Sequence, residues 1–166
     1  MSTQSPSSAE EAVRTVHDMA GILRPAAIRA AATLRLADHV AAGTTAAADL
    51  ADLVSADPDR LTRLLRYLAA LGLFERRDGD HYTLTGLGEA LRSEGTMNLR
   101  AVLDSDGVLG RADLGTLDLV HTLRTGRPAY EGVFGTDFWS DVQGAPVYAE
   151  SLDPVLGTGV GWDAEL

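Results

Sequence analysis

The sequence predicts a mainly α-helical fold of winged-helix-like type, a helix-turn-helix followed by a small β-hairpin wing, with extra N- and C-terminal helices. Three observations predict it. Apolar residues recur at helical spacing over most of the chain. Two helical segments rich in Ala and Leu meet at an Asp-Pro break, and an Asp-Gly pair lies between two short strand-like runs. The 166 residues suffice for one domain with its own core, and are too few for this unit plus a complete doubly wound domain.

Residues 1–8 are Ser-rich and offer nothing to bury, so a disordered tail is expected there. From residue 9 to 23, Ala12, Val16, Met19, Ala20 and Leu23 follow a 3.6 period, and Ser8 with Glu11 has the form of a capping box. Pro25 suits the first turn of a second helix. In it Ala27, Ile28, Ala31, Leu34 and Leu36 cover more than one face, which predicts packing against a second copy of the chain as well as its own domain. A brief helix over 37–42 should stop at Gly43.

Thr45 is the expected cap of a helix to about Val54. Asp57-Pro58 supplies an N-cap followed by proline at the first helical position, opening a helix to Gly72 whose core stripe is Leu61, Leu64, Leu65, Leu68 and Leu71. Leu73-Phe74-Glu75 and His81 to Leu84 flank Asp78-Gly79 as the wing. Thr85 should cap a helix through Arg92, closing a domain over residues 9–95. Residues 96–166 read as a helical wall and linker region: a stretch over 98–123 interrupted near 107–110, an aromatic connection, and a helix over 148–156 ending at Gly157.

Cysteine is absent, which excludes disulfides, thiolate metal sites and cysteine nucleophiles. The net charge is −10, carried unevenly: residues 1–92 hold ten arginines against twelve acids, and residues 93–166 four against twelve. Nucleic-acid binding needs a cationic surface, so any such argument rests on the first half. There Arg60, Arg63 and Arg66 share a helix face, but Asp57 and Asp59 sit at the end that would approach a duplex. A DNA-binding regulator is therefore the alternative reading, against a solvated or interface-facing stripe. No apolar run reaches membrane-spanning length, and the first residues lack the pattern of a secretory leader, so a cytoplasmic protein is expected.

The histidines His17, His39, His81 and His121 show no ligand spacing, and no metal site is expected. Gly157-Thr158-Gly159-Val160-Gly161 has the form of a cofactor-binding glycine loop, but only three apolar residues precede it and five residues come after; it reads as a cap and linker. Asp104 and Asp106 are two apart and cannot share a helix face. Four of the nine aromatic residues, Tyr130, Phe134, Phe138 and Trp139, crowd one Gly-rich connection. They are either a satellite core under a loop or the wall of a pocket for a flat ring system.

The order and spacing of Arg24 to His39, Pro58 to Phe74, Tyr82 to Leu91, Gly126 to Tyr130 and Gly135 to Trp139 resemble the N-terminal part of S-adenosylmethionine-dependent small-molecule O-methyltransferases, especially those of aromatic polyketide and anthracycline biosynthesis. The resemblance implies a homodimer whose N-terminal helices intertwine, with Val16, Met19, Ile28, Ala31 and Leu34 as interface candidates. It also implies an aromatic substrate held between this region and a cofactor domain, with Leu103, Asp104, Phe138 and Trp139 as one wall. The family's glycine loop would lie beyond Leu166, so no catalytic residue is expected here and no methyl transfer by this chain alone; S-adenosylmethionine is expected for the full-length member. Some relatives use the same scaffold for hydroxylation. Neither nucleic acid nor membrane is an expected partner.

Overall fold

A computed structural model describes residues 8–94 and 99–144. Helix α1 (Ser8–Met19) stands clear of the rest, with none of its residues buried. It stops short of the predicted residue 23 because the chain turns at Ala20-Gly21, where the Gly21 amide reaches back to the Asp18 carbonyl at 3.3 Å.

Helix α2 (Leu23–Thr33) buries Ala27, Ala31 and Ala32, small side chains that let its neighbours approach closely. Arg35 takes a left-handed conformation (φ 52°) and turns the chain into α3 (Leu36–Ala41), which buries Leu36, Ala37 and Val40. The predicted Thr45 cap does not form. Ala46 occupies the N-cap of α4 (Ala47–Leu53), while the Thr45 hydroxyl lies 2.9 Å from His81 Nδ1 and its carbonyl accepts from the Tyr82 amide at 2.8 Å. The wing has drawn Thr45 away from the helix.

Helix α5 (Pro58–Ala70) begins as the sequence predicts: the Asp57 carboxylate accepts from the Arg60 amide at 2.9 Å and Pro58 comes next. Its buried stripe is Leu61, Leu65 and Leu68. Strands β1 (Phe74–Arg77) and β2 (His81–Leu84) pair antiparallel with Phe74 opposite Leu84 and Arg76 opposite Tyr82. Gly79, at φ 69°, provides the turn. Phe74 and Tyr82 join Leu36, Leu50, Leu65 and Leu68 in the main core. Thr85 does act as a cap, accepting from the Gly88 amide at 3.1 Å, but the segment it opens is a 3-10 turn over Gly88–Leu91 rather than a helix through Arg92. A Cβ on Gly88 would lie 2.0 Å from the Leu73 carbonyl oxygen, so glycine is required for that approach.

Asp38 ties α3 to the end of this domain, accepting from the Ser93 amide at 2.8 Å and the Ser93 hydroxyl at 2.6 Å. Burial alone would raise its pKa; the Ser93 bonds, joined by Arg35, outweigh burial and hold the carboxyl below its ordinary value. A carboxylate depressed in the folded state contributes stability that is present above the unfolded-state pKa and is lost as pH falls through the folded one. Asp38→Asn should therefore lower stability at neutral pH by about 1–2 kcal/mol, a difference that shrinks once the wild-type carboxyl is protonated. Urea unfolding at neutral and acid pH tests this. An equal loss at both would show that the charge is immaterial.

The second layer packs on α2. Helix α6 (Leu99–Leu103) lies against it, the Ser105 amide donates to the Thr33 hydroxyl at 2.8 Å, and Arg29 pairs with Asp113. The predicted stretch over 98–123 is broken twice, into α6, α7 (Val108–Gly115) and α8 (Leu119–Thr125), with a 3-10 turn at Thr116–Asp118. Two short helices, α9 (Tyr130–Phe134) and α10 (Phe138–Gly144), complete it. Val108, Leu109 and Val142 form a small separate core with Val102 and Phe138 against it. Ser8, expected to belong to the tail, is the first residue of α1; the rest of the expected tail, the helix over 148–156 and the glycine motif at Gly157 lie outside the described residues.

Candidate functional site

The aromatic connection folds into one side of a cavity of about 660 Å3, with α7 and α8 forming the other. Leu109 and Gly115 from α7, Leu119 from α8, Tyr130 from α9, and Phe138 and Trp139 from α10 line it. Of the four aromatics, Tyr130, Phe138 and Trp139 line this cavity and Phe134 packs beside it. Trp139 is 66% exposed and meets Phe138 edge-on at 5.1 Å between ring centroids, so it is available to a ligand. Phe134 is absent from the lining; it packs on Tyr130 at 4.6 Å, beneath the Arg111 guanidinium at 4.4 Å from its ring centre.

Tyr130 is the best-anchored member of the wall. Its ring is only 6% exposed, stands edge-on to Phe138 at 5.5 Å, and rests on Gly115, where an added Cβ would come within 3.2 Å of Tyr130 Cδ2. Its hydroxyl donates to Asp141 Oδ2, the same oxygen that pairs with Arg111 Nη2 at 2.7 Å. Burial, and then the bond to Asp141, raise the phenol pKa, so Tyr130 stays protonated at neutral pH as a donor.

The expected wall residues are divided by the structure. Phe138 and Trp139 share this cavity. Leu103 lines a different one, of about 670 Å3, with Arg24, Ile28, Leu71, Leu73 and Leu99. Asp104 belongs to neither lining; its Oδ2 pairs with Arg100 at 2.9 Å and its Oδ1 accepts from the Asp106 amide at 3.1 Å. Sequence reasoning missed Leu109 and Gly115, which carry no signal beyond helical apolarity, and the Arg111–Asp141 pair, whose members lie on different helices.

Of the interface candidates, Val16 and Met19 are 65% and 82% exposed on α1. Ile28 and Leu34 are half-buried, while Ala31 lies inside the chain's own core, out of reach of a partner. Much of the apolar surface expected of α2 is covered by α3, α5 and α6, and in the N-terminal segment the exposed large apolar residues are Val13, Val16 and Met19 of α1 with Ile22 and Leu23. In the arginine stripe, Arg60 and Arg63 are exposed, whereas Arg66 is held at 3.0 Å by Asp80 of the wing, which Arg76 also contacts at 2.6 Å. Among the described residues no group of three His, Cys, Asp or Glu could hold a metal, and no helix is long and apolar enough to cross a membrane.

The helix-turn-helix and wing match a known family over most of their length: the model of the O-methyltransferase dimerisation domain fits residues 16–94. This segment is an O-methyltransferase dimerisation domain. The chain is 46% identical over 138 residues to 2,7-dihydroxy-5-methyl-1-naphthoate 7-O-methyltransferase of Streptomyces carzinostaticus, an alignment that covers 83% of this chain and 42% of the relative. It is 38% identical over 141 residues to aclacinomycin 10-hydroxylase of Streptomyces purpurascens, covering 84% of this chain and 38% of that protein. The crystal structure of an O-methyltransferase from neocarzinostatin biosynthesis, in complex with S-adenosylmethionine and 2-hydroxy-5-methyl naphthoic acid, superposes with a TM-score of 0.80 at 45% identity, over 84% of this chain and 43% of that one. The chain thus spans less than half the length of the relatives it matches. The dimerisation domain is shared by a methyltransferase and a hydroxylase, so it does not by itself fix the reaction.

Proposed function

We propose that this chain is the dimerisation and substrate-wall portion of an S-adenosylmethionine-dependent O-methyltransferase of aromatic natural-product biosynthesis, acting as a homodimer. The observation that carries the substrate part is the cavity faced by Tyr130, Phe138 and Trp139, whose rings offer both a face and an edge to a planar ligand. Support for self-association comes from α1, an amphipathic helix with no buried residue in a chain that carries a dimerisation domain.

The described residues do not fit S-adenosylmethionine. A site for it needs a strand that delivers a glycine loop to a helix N-terminus. Of the two described strands, β1 runs through Asp78-Gly79 straight into the hairpin turn, and β2 leads through Thr85-Gly86-Leu87-Gly88 into a four-residue 3-10 turn packed against Leu73. No step of methyl transfer is therefore assigned to these residues; their part is to pair two subunits and to hold one side of the substrate.

Calorimetric titration with 2-hydroxy-5-methyl naphthoic acid tests the wall. Saturable binding is expected, weakened roughly threefold to tenfold by Trp139→Ala, the range of one aromatic contact. Binding that is indifferent to Trp139 would place the ligand elsewhere.

A further inference from the structure

The cavity wall is more selective than its aromatic content suggests. None of its lining residues carries a charge, and Tyr130, Thr116 and Thr122 are its side chains with oxygen. The Tyr130 hydroxyl is not free to serve a ligand. It is given to Asp141, whose carboxylate is shared with Arg111, and neither of those residues lines the cavity. Tyr130 thus places a ring in the wall and its hydroxyl outside it. The Arg111 guanidinium behind the wall is committed to Asp141 and lies over the Phe134 ring.

Resting on the aromatic-pocket reading above, we propose that Tyr130, positioned by Asp141 and Arg111, is a specificity determinant that makes this wall accept the unsubstituted or alkyl-bearing edge of a fused aromatic substrate and reject an edge that carries an ionised group. An ionised group pressed against this wall loses its hydration and meets no cation there, gaining at most two threonine hydroxyls and the Trp139 indole N–H in return. An alkyl edge loses nothing of the kind and buries apolar surface against Leu109, Leu119 and Phe138. Any carboxylate or phenolate on the substrate must then point away from the cavity floor, which fixes how the ring system is turned.

The test compares 5-methyl-1-naphthoate with naphthalene-1,5-dicarboxylate, which differ only in the group presented at one edge, by ligand-observed NMR titration of the full chain. The methyl compound should bind about tenfold more tightly or better. Asp141→Ala removes both the acceptor that holds the Tyr130 hydroxyl outside the cavity and the carboxylate that offsets the Arg111 charge, and the preference should narrow to about threefold or less. A loss of wall structure alone would weaken both compounds equally and leave the ratio intact, which would overturn the role given to Tyr130. Leu119→Arg, on an exposed position of the lining, adds a cation to the wall and should reverse the preference; an unchanged ratio there would mean that this edge never meets the wall. Equal affinity of the wild-type chain for both compounds would overturn the selectivity while leaving the aromatic pocket standing. If neither compound binds at about 1 mM, the pocket reading falls and the selectivity with it.

Discussion

Gly110→Ala should disable the second layer and the cavity it builds. The added Cβ would sit 1.9 Å from the Asp104 carbonyl oxygen, 2.7 Å from its carbon and 2.8 Å from Ser105 Cα. All three are backbone atoms, so no side chain can rotate away. The obstructing segment is also tethered: the Gly107 amide donates to the Asp104 carbonyl at 3.0 Å, the Ser105 amide to Thr33 at 2.8 Å, and Arg100 pairs with the Asp104 carboxylate. Relief requires α7 to move off α6, and α7 carries Val108 of the small core together with Leu109 and Gly115 of the cavity wall. Overpacking ordinarily costs 1–3 kcal/mol, and a backbone-on-backbone clash belongs at or above the top of that range, about 3 kcal/mol or more. The melting temperature should fall by roughly 10 °C or more, with loss of aromatic-acid binding. Gly132→Ala, where nothing lies within 4 Å of the new Cβ, is the matched control and should be neutral or slightly stabilising. Equal melting of Gly110→Ala and wild type would sink the packing described for α6 and α7.

Where the sequence specifies structure locally, it was legible. Asp57-Pro58 encodes both a cap and a fixed φ, and α5 starts there; Asp78-Gly79 encodes a turn with positive φ, and the wing folds on it. The misread positions are ones where a distant partner prevails. Thr45 has a good capping side chain, yet the strand bearing His81 and Tyr82 competes for it. Thr85 does cap, but the close approach of Gly88 to Leu73 winds the next residues into a 3-10 turn. In α2 the apolar excess was visible and its destination was not: periodicity says that Ala27 and Ala31 are buried, and only the fold says that the cover is α3, α5 and α6.

The site divides the same way. The density of aromatics between residues 130 and 139 marked the wall, because large rings in a glycine-rich connection need a surface to line. Nothing local pairs Arg111 with Asp141, thirty residues apart on different helices, although that pair decides where the Tyr130 hydroxyl goes. Leu103 and Asp104 entered through family resemblance. The break of the chain at residues 104–107 turns one toward the α2–α5 side and leaves the other closing an ion pair with Arg100.

Val16→Asp should convert the proposed dimer to monomer. Helix α1 is twelve residues long, a length at which an isolated helix is marginal in water, and no residue of it is buried in its own chain. Val13, Val16 and Met19 lie at three-residue spacing and are exposed, next to exposed Ile22 in the connection and Leu23 at the start of α2. A second copy is the cover that a dimerisation domain supplies. In a two-fold interface each substitution occurs twice. Losing the burial of one valine costs about 1.5–3 kcal/mol, so two copies lose roughly 3–6 kcal/mol before the cost of burying a carboxylate is counted. At about 1.4 kcal/mol per tenfold, the dissociation constant should rise roughly a hundredfold to ten-thousandfold, enough to separate the subunits at micromolar concentration. Sedimentation should show a dimer for the wild type and a monomer for the variant, and circular dichroism should show that the variant loses the helicity of α1. A wild-type chain that sediments as a monomer with α1 still helical would mean that this helix needs no cover, and the dimer reading would have to be given up.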